Sequence, residues 1–291
     1  MLKFNRLLYG DQHIFGYNTK GTIESLKKIT IEDLIKYYEN NFSPSVTKIH
    51  IVGDISKEQA ITALKSLESK WVDSEVNKIL FPLPSSVSIP KLYFFDLPGS
   101  KQSVIFAGDL ALSRNDSDYV AAFFTNYRLG GAFTSILNQV LREEKGFTYG
   151  ARSFFREQKI KAPFMITTSV RSGATFESLD IIKEKLEKYA NDISFDDLQY
   201  TKNCLVRSNA GKLETLPSQL TMLKNIGKYG LSDDYVKKEE EMVKNMTLEK
   251  YKETAKKFMN PGRMIFLVVG DSATQFKSLE KIGFGKPVLL K

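Results

Sequence analysis

The feature that most constrains this chain is a duplicated stretch. Residues Thr30 to Asp54 align without a gap onto Thr247 to Asp271, 217 residues further on, and six of the 25 aligned pairs are identical. These are Thr30 with Thr247, Glu32 with Glu249, Pro44 with Pro261, Val52 with Val269, Gly53 with Gly270 and Asp54 with Asp271. Composition alone would give about one or two such identities. The shared order also has a physical logic: a threonine to cap a helix, a proline in the turn behind it, then an apolar run ending in Gly-Asp. Each copy is predicted as a helix, a turn and a strand. In the first predicted strand, Lys48 to Val52, Ile49 and Ile51 share one face. The second, Met264 to Val269, is apolar on both faces and has to be covered on both.

The two copies are unequally equipped. About 150 residues, from Lys91 to Met246, lead up to the second copy, but only 29 lead up to the first. If whole domains were duplicated, the first has lost its front. Between the halves, Asp73 to Pro90 carries Pro82, Pro84 and Pro90 with Ser85, Ser86 and Ser88, a composition that favours extended backbone. The expected organisation is the rear of a first domain over residues 1–72, a linker over 73–90 and a complete second domain over 91–291. A first domain without its front would expose an open sheet edge and apolar surface. The expectation is that another chain covers this surface or that it is poorly ordered.

In the second half, strands are expected at Leu92 to Asp96 and Gln102 to Gly108, then a helix from Ser117 to Leu129. A second helix starts near Phe133, with Phe133, Ile136, Leu137, Val140 and Leu141 at helical spacing and Gly146 as its stop. Strands at Thr148 to Phe155 and Phe164 to Val170 follow. Helices come next, near Thr175 to Tyr189, Phe195 to Lys212, Pro217 to Lys228, Asp233 to Lys244 and Leu248 to Phe258. Strands in neighbouring pairs and helices in runs predict an α+β fold, with helices packed on a largely antiparallel sheet, rather than a doubly wound one.

Composition narrows the chemistry. No apolar run approaches the roughly 20 residues that span a bilayer, and Met1 to Arg6 lacks the apolar core of a secretion signal, so no membrane span is expected. The net charge of +8 comes from lysines interleaved with acids, as in Val236 to Glu241, which reads as solvated helix faces rather than a nucleic-acid footprint. The single cysteine, Cys204, falls mid-helix near an apolar stripe and is read as structural. The two histidines, His13 and His50, have no acidic or cysteine neighbour at metal-ligand spacing, so no metal site is expected from this chain alone. Neither a G-x-S-x-G turn nor a phosphate loop is present.

The stretch that stands out is Leu129 to Gly150, L-G-G-A-F-T-S-I-L-N-Q-V-L-R-E-E-K-G-F-T-Y-G. A purely structural reading is available: Gly130-Gly131 separates two helices, Arg142 suits a last helical turn, and Tyr149 is an ordinary strand aromatic. The same residues, however, resemble the L-G-G-x-F-x-S-x-L-x-x-x-L-R-E-x-K-G-x-x-Y-G signature of the insulinase/pitrilysin zinc peptidases, the inverzincins, which include the processing-peptidase subunits. Tyr9-Gly10 to Asp54 is similar to the tail of that family's first domain, with His13-Ile14-Phe15-Gly16 where the family has H-P-Y-G.

The resemblance covers nearly the whole chain and implies two similar α+β domains facing each other like a clam shell. It implies that zinc, held in the complete enzyme by an H-x-x-E-H helix and a downstream glutamate, belongs to the front of the first domain, which this chain lacks. His13 matches a position behind those ligands. Arg142 and Tyr149 match the arginine and tyrosine by which the second domain holds the scissile carbonyl and stabilises its oxyanion, and Gly130, Gly131 and Phe133 fall at substrate-binding positions. Ile136 stands where the family often has arginine. The implied partners are a peptide substrate and an N-terminal half or separate chain carrying H-x-x-E-H, or a homo-oligomer over the truncated domain. The rival expectation is a non-catalytic assembly subunit.

Overall fold

A computed structural model describes residues 1–76, 91–211 and 214–290. Residues 77–90, most of the expected linker, lie outside the described residues. The chain opens with α1 (Leu2–Tyr9), followed by α2 (Ile23–Leu26), α3 (Ile31–Asn41) and α4 (Lys57–Lys70). Then come β1 (Lys91–Asp96), β2 (Gln102–Leu112), α5 (Tyr119–Asn126), α6 (Ile136–Asn138), β3 (Thr148–Phe155) and β4 (Ala162–Arg171). The helices α7 (Thr175–Asp192), α8 (Phe195–Ala210), α9 (Leu216–Tyr229), α10 (Tyr235–Lys244) and α11 (Leu248–Phe258) follow in a run. β5 (Ile265–Gly270), α12 (Ser272–Gln275) and β6 (Val288–Leu290) complete the chain.

The strands form one six-stranded sheet in the order β3-β4-β2-β5-β1-β6. β2 runs antiparallel to both β4 and β5, and β3 antiparallel to β4, whereas β1 lies parallel to β5 and to β6. The grouping of strands and helices thus yields the expected mixed architecture. The parallel pairs arise because β1 and β5 are far apart in sequence, so no hairpin dictates their direction.

One face of the sheet carries the main core. Phe94, Ile105, Phe164, Ile166, Phe266 and Val268 pack there against Phe124, Leu179, Ile182 and Tyr251 of the helices. The opposite face is closed by α1, which sequence periodicity did not single out. Its Phe4, Leu8 and Tyr9 pack on Phe106, Leu110, Met165, Ile265 and Leu267. The Phe4 and Phe106 rings stack with centroids 5.5 Å apart, and the Tyr9 hydroxyl donates to the Lys161 carbonyl at 3.2 Å. β5, apolar on both faces, is therefore covered on both, as its composition demands. The cover for its outer face comes from the stretch expected to form a separate unit.

The repeat is realised unequally. Both copies open with a threonine that accepts from the third helical amide, Asp33 N on Thr30 and Lys250 N on Thr247. Both then turn through a short 3₁₀ segment, Pro44–Val46 and Pro261–Arg263. The second copy continues into β5. The first does not: residues 48–52 form no strand, contrary to the sequence expectation, and Ile49 and Ile51 are 51% and 43% exposed. The residues have strand character, but a strand needs ladder partners for its backbone amides, and none of the sheet's strands lies beside them.

Candidate functional site

The segment from Leu129 to Gly150 is built from two widened helical turns and a kinked strand. α5 does not run on to Leu129 as a regular helix; it passes into a π turn over Tyr127–Gly131, closed by the Ala132 amide on the Tyr127 carbonyl at 3.1 Å. Gly130 is what permits this. It is buried against β3, and a methyl group there would overlap Ser153 Oγ and stand 2.6 Å from the Ser153 amide nitrogen. The helix expected from Phe133 begins at Ile136 instead, so Phe133 lies in the loop before it, 71% exposed, and not on the apolar stripe with Leu137 and Leu141. That stripe itself is buried as read. Gly131 is exposed at the start of the same loop.

α6 continues as a second π turn, Gln139–Glu144, which carries Arg142. Such turns recur at functional sites because they displace one side chain from the regular helical face. Gly146, at φ 62°, then stops the helix as expected. The Arg142 guanidinium lies over the Phe133 ring, 4.6 Å from its centroid, and pairs with Glu143 at 3.0 Å.

Tyr149 stands at the start of β3, the edge strand. Between Thr148 and Ala151 the β3–β4 register slips: three steps on β3 oppose two on β4, a bulge that aims Tyr149 outward. Its side chain is 94% exposed. The bulge is held by threonines, Thr148 Oγ1 accepting from the Gly150 amide and Thr168 Oγ1 donating to the Gly150 carbonyl, both at 3.0 Å.

Residues that sequence reasoning missed join these parts. Buried Asn138 donates to the Phe133 carbonyl at 2.7 Å and accepts from the Ala151 amide at 3.1 Å, tying the loop before α6 to the bulge beside Tyr149. Asn126 likewise donates to the Ser153 carbonyl at 2.8 Å. Arg128 spans from Asp197 of α8 to the Thr134 carbonyl, 2.8 Å to each, and holds the Asp197 carboxylate, despite opposing burial, below the usual carboxylate range. Beside the loop lies a cleft of about 740 Å³, lined by Phe133, Thr134, Glu143, Asp196 and Tyr200 among others.

Among the described residues no group of three or more His, Cys, Asp or Glu side chains is placed to hold a metal ion. His13 is buried, stacked on Tyr9 at 4.8 Å and capping the turn at Phe15, and His50 lies against Gly227 of α9. Cys204 is half-buried on α8. Among the described residues no helix is long and apolar enough to cross a membrane.

Residues 28–205 match the profile described as the peptidase M16 inactive domain. The chain belongs to the peptidase M16 family. That is the insulinase family, and what matches is its C-terminal portion. It is 21% identical over 198 residues to an uncharacterised zinc protease of Streptomyces coelicolor, covering 67% of this chain and 43% of that protein. It is 22% identical over 255 residues to a Helicobacter pylori protein named as a non-peptidase homolog, covering 86% of this chain and 58% of that one. The crystal structure of a peptidase M16 inactive domain from Pseudomonas fluorescens superposes with a TM-score of 0.83 at 23% identity, over 94% of this chain and 65% of that chain. M16 relatives of this kind are thus longer than this chain, which spans 43% and 58% of the two curated ones.

Proposed function

We propose that this chain is the substrate-holding, non-metal half of an M16 endopeptidase, in which Arg142 and Tyr149 grip the scissile carbonyl and its oxyanion. The observation that supports this reading is a fully presented phenol on a bulge and a guanidinium on a π turn, in segments that Asn138 ties together. Both groups donate hydrogen bonds, so they suit a developing oxyanion. β3 is an edge strand, so an extended peptide has backbone groups beside Tyr149 to pair with. Phe133 and the cleft by Tyr200 offer side-chain contacts beside the loop that Gly131 opens, while Gly130 sets the backbone path beneath it.

The zinc and its water-activating base belong, in this reading, to another polypeptide or segment that carries H-x-x-E-H, and the chain alone is inactive. The test is reconstitution with such a polypeptide. Arg142→Ala and Tyr149→Phe should each lower kcat by about 10²-fold or more, the usual effect of deleting one oxyanion donor, with folding unchanged by circular dichroism. Unchanged turnover in both variants would instead support the second reading, a structural assembly subunit. The non-peptidase designation of the Helicobacter pylori relative favours that alternative.

A further inference from the structure

A cavity of about 300 Å³ lies between α5, α9, α10 and the turn joining β3 to β4, and it shares no lining residue with the cleft beside Phe133. One wall is Arg114, in the loop after β2, whose amide donates to the Gln158 carbonyl at 2.8 Å and whose side chain is 6% exposed. The guanidinium lies over the Tyr119 ring, 4.6 Å from its centroid, with the Tyr235 ring at 5.9 Å, and its Nη2 donates to Glu239, which neutralises it. A second carboxylate faces the same arginine. Glu157 Oε1 stands 3.5 Å from Arg114 Nε but accepts no hydrogen bond from it; its hydrogen bond comes from the Tyr119 hydroxyl, at 3.0 Å. The lining therefore carries one cationic and two anionic side chains, and Glu157, 45% exposed, holds the surplus charge.

The opposite wall is α9, and its sequence explains why the space stays open. Ser218, Thr221, Met222 and Asn225 recur at helical spacing and all line the cavity, so the inward face of α9 is mostly polar. Of the 14 residues of α9 only Tyr229 is buried. It is clamped by Asn115 Nδ2, which donates to its carbonyl at 2.8 Å, and by its own hydroxyl, which donates to the Glu157 carbonyl at 3.3 Å. The helix is thus fixed at its C-terminal end and bridges the cavity instead of packing into it.

We infer that this cavity is a binding site for an alkylammonium group, a cation on an aliphatic stem such as a lysine side chain or a free linear diamine presents. An ammonium has three donors to satisfy, and the Glu157 carboxylate, the Asn225 amide oxygen and the Thr221 hydroxyl line one space. Thr221 gives its own proton to the Pro217 carbonyl at 2.8 Å, which leaves its oxygen an acceptor. Val120, Phe123 and Met222 supply apolar surface for the stem, and the Phe123 ring attracts a cation. The surplus negative charge disfavours a carboxylate or phosphate, and a wholly apolar ligand would take water from Glu157 and return no partner. Occupancy also gives α9 the inner support that its own side chains lack.

The test titrates the full chain by calorimetry with 1,5-diaminopentane and with Nα-acetyl-lysine N-methylamide, and with pentane-1,5-diol and glutarate as neutral and anionic counterparts. At least one amine should bind one to one with a Kd of about 1 mM or tighter, and the diol and glutarate at least about 10-fold more weakly. The tighter amine names the source: the diamine a free amine, the lysine derivative a protein side chain. Affinity should fall several-fold between about 50 and 500 mM salt, as an exposed ion pair requires. Glu157→Gln keeps an acceptor for Tyr119 but removes the charge, and should weaken binding at least about 10-fold with circular dichroism unchanged. In amide hydrogen exchange the bound amine should slow α9 most. Failure of both amines to bind at about 10 mM, equal affinity for the diol, full affinity in Glu157→Gln, or protection that bypasses α9 would each overturn the site.

Discussion

At the scale of single residues, the candidate site depends on a few buried polar groups that fasten a loop to a strand edge. Asn138 is the clearest. It serves the Phe133 carbonyl and the Ala151 amide together, and Asn138→Ala would leave the buried Ala151 amide without this partner and untie the Phe133 loop. The expected cost is about 1–3 kcal/mol in urea denaturation, the range for stranding buried hydrogen-bond groups, with looser substrate binding in the reconstituted enzyme. A second buried residue ties stability to pH. Asp109 on β2 is pushed up to about 6 by burial, against a 2.7 Å bond from the Leu110 amide that opposes the shift. Its folded pKa lies above the unfolded value near 3.9, so the native state holds the proton more tightly and loses stability as pH rises from about 4 to 6. Asp109→Asn should raise the melting temperature at pH 8, and the gain should shrink as pH falls through 6 and vanish near 4. Neither Asn138 nor Asp109 was singled out in the sequence, because an isolated polar residue in an apolar run shows nothing of what it will face.

At the scale of elements, helix and strand periodicity was readable wherever a stretch buries one face. The long helices α7, α8 and α11 and strands β2 and β4 follow it closely. The deviations concentrate between Leu129 and Gly150. There the sequence promised one helix from Phe133 and a plain strand, and the chain instead makes two π turns and a bulge. Their cause is tertiary: Gly130 packs against Ser153, so α5 must widen to bring its end onto β3. α1 is the other surprise. Eight residues with four buried side chains are too short to be stable alone, and their fit exists only with the sheet beneath. Phe4→Ala should therefore cost about 3–5 kcal/mol, as for other fully buried phenylalanines, and lower the unfolding midpoint of the whole sheet rather than of residues 1–72 alone. A melt in which only a small separate transition moved would place α1 outside the core.

At the scale of the molecule, one sequence pattern has two outcomes. The repeat is real in capping, turn and apolar order, yet only the second copy has a sheet to join. Paired substitutions expose the difference: Phe266→Ala should cost about 3–5 kcal/mol, while Ile49→Ala at the matching position should change the chemical stability of the chain alone by less than about 0.5 kcal/mol. By itself, the sequence determined the family through the Leu129 to Gly150 signature, the α+β layering, and the identity of Arg142 and Tyr149 as the side chains to watch. All of these are local, carried by spacing and residue type within a few turns. Only the tertiary structure decided that residues 48–52 stay unpaired, that α1 guards the far side of the other copy's sheet, and that a bulge presents the tyrosine. Each of those depends on which distant backbone or apolar face is available as a neighbour, and no stretch of sequence contains that information until the chain has closed on itself.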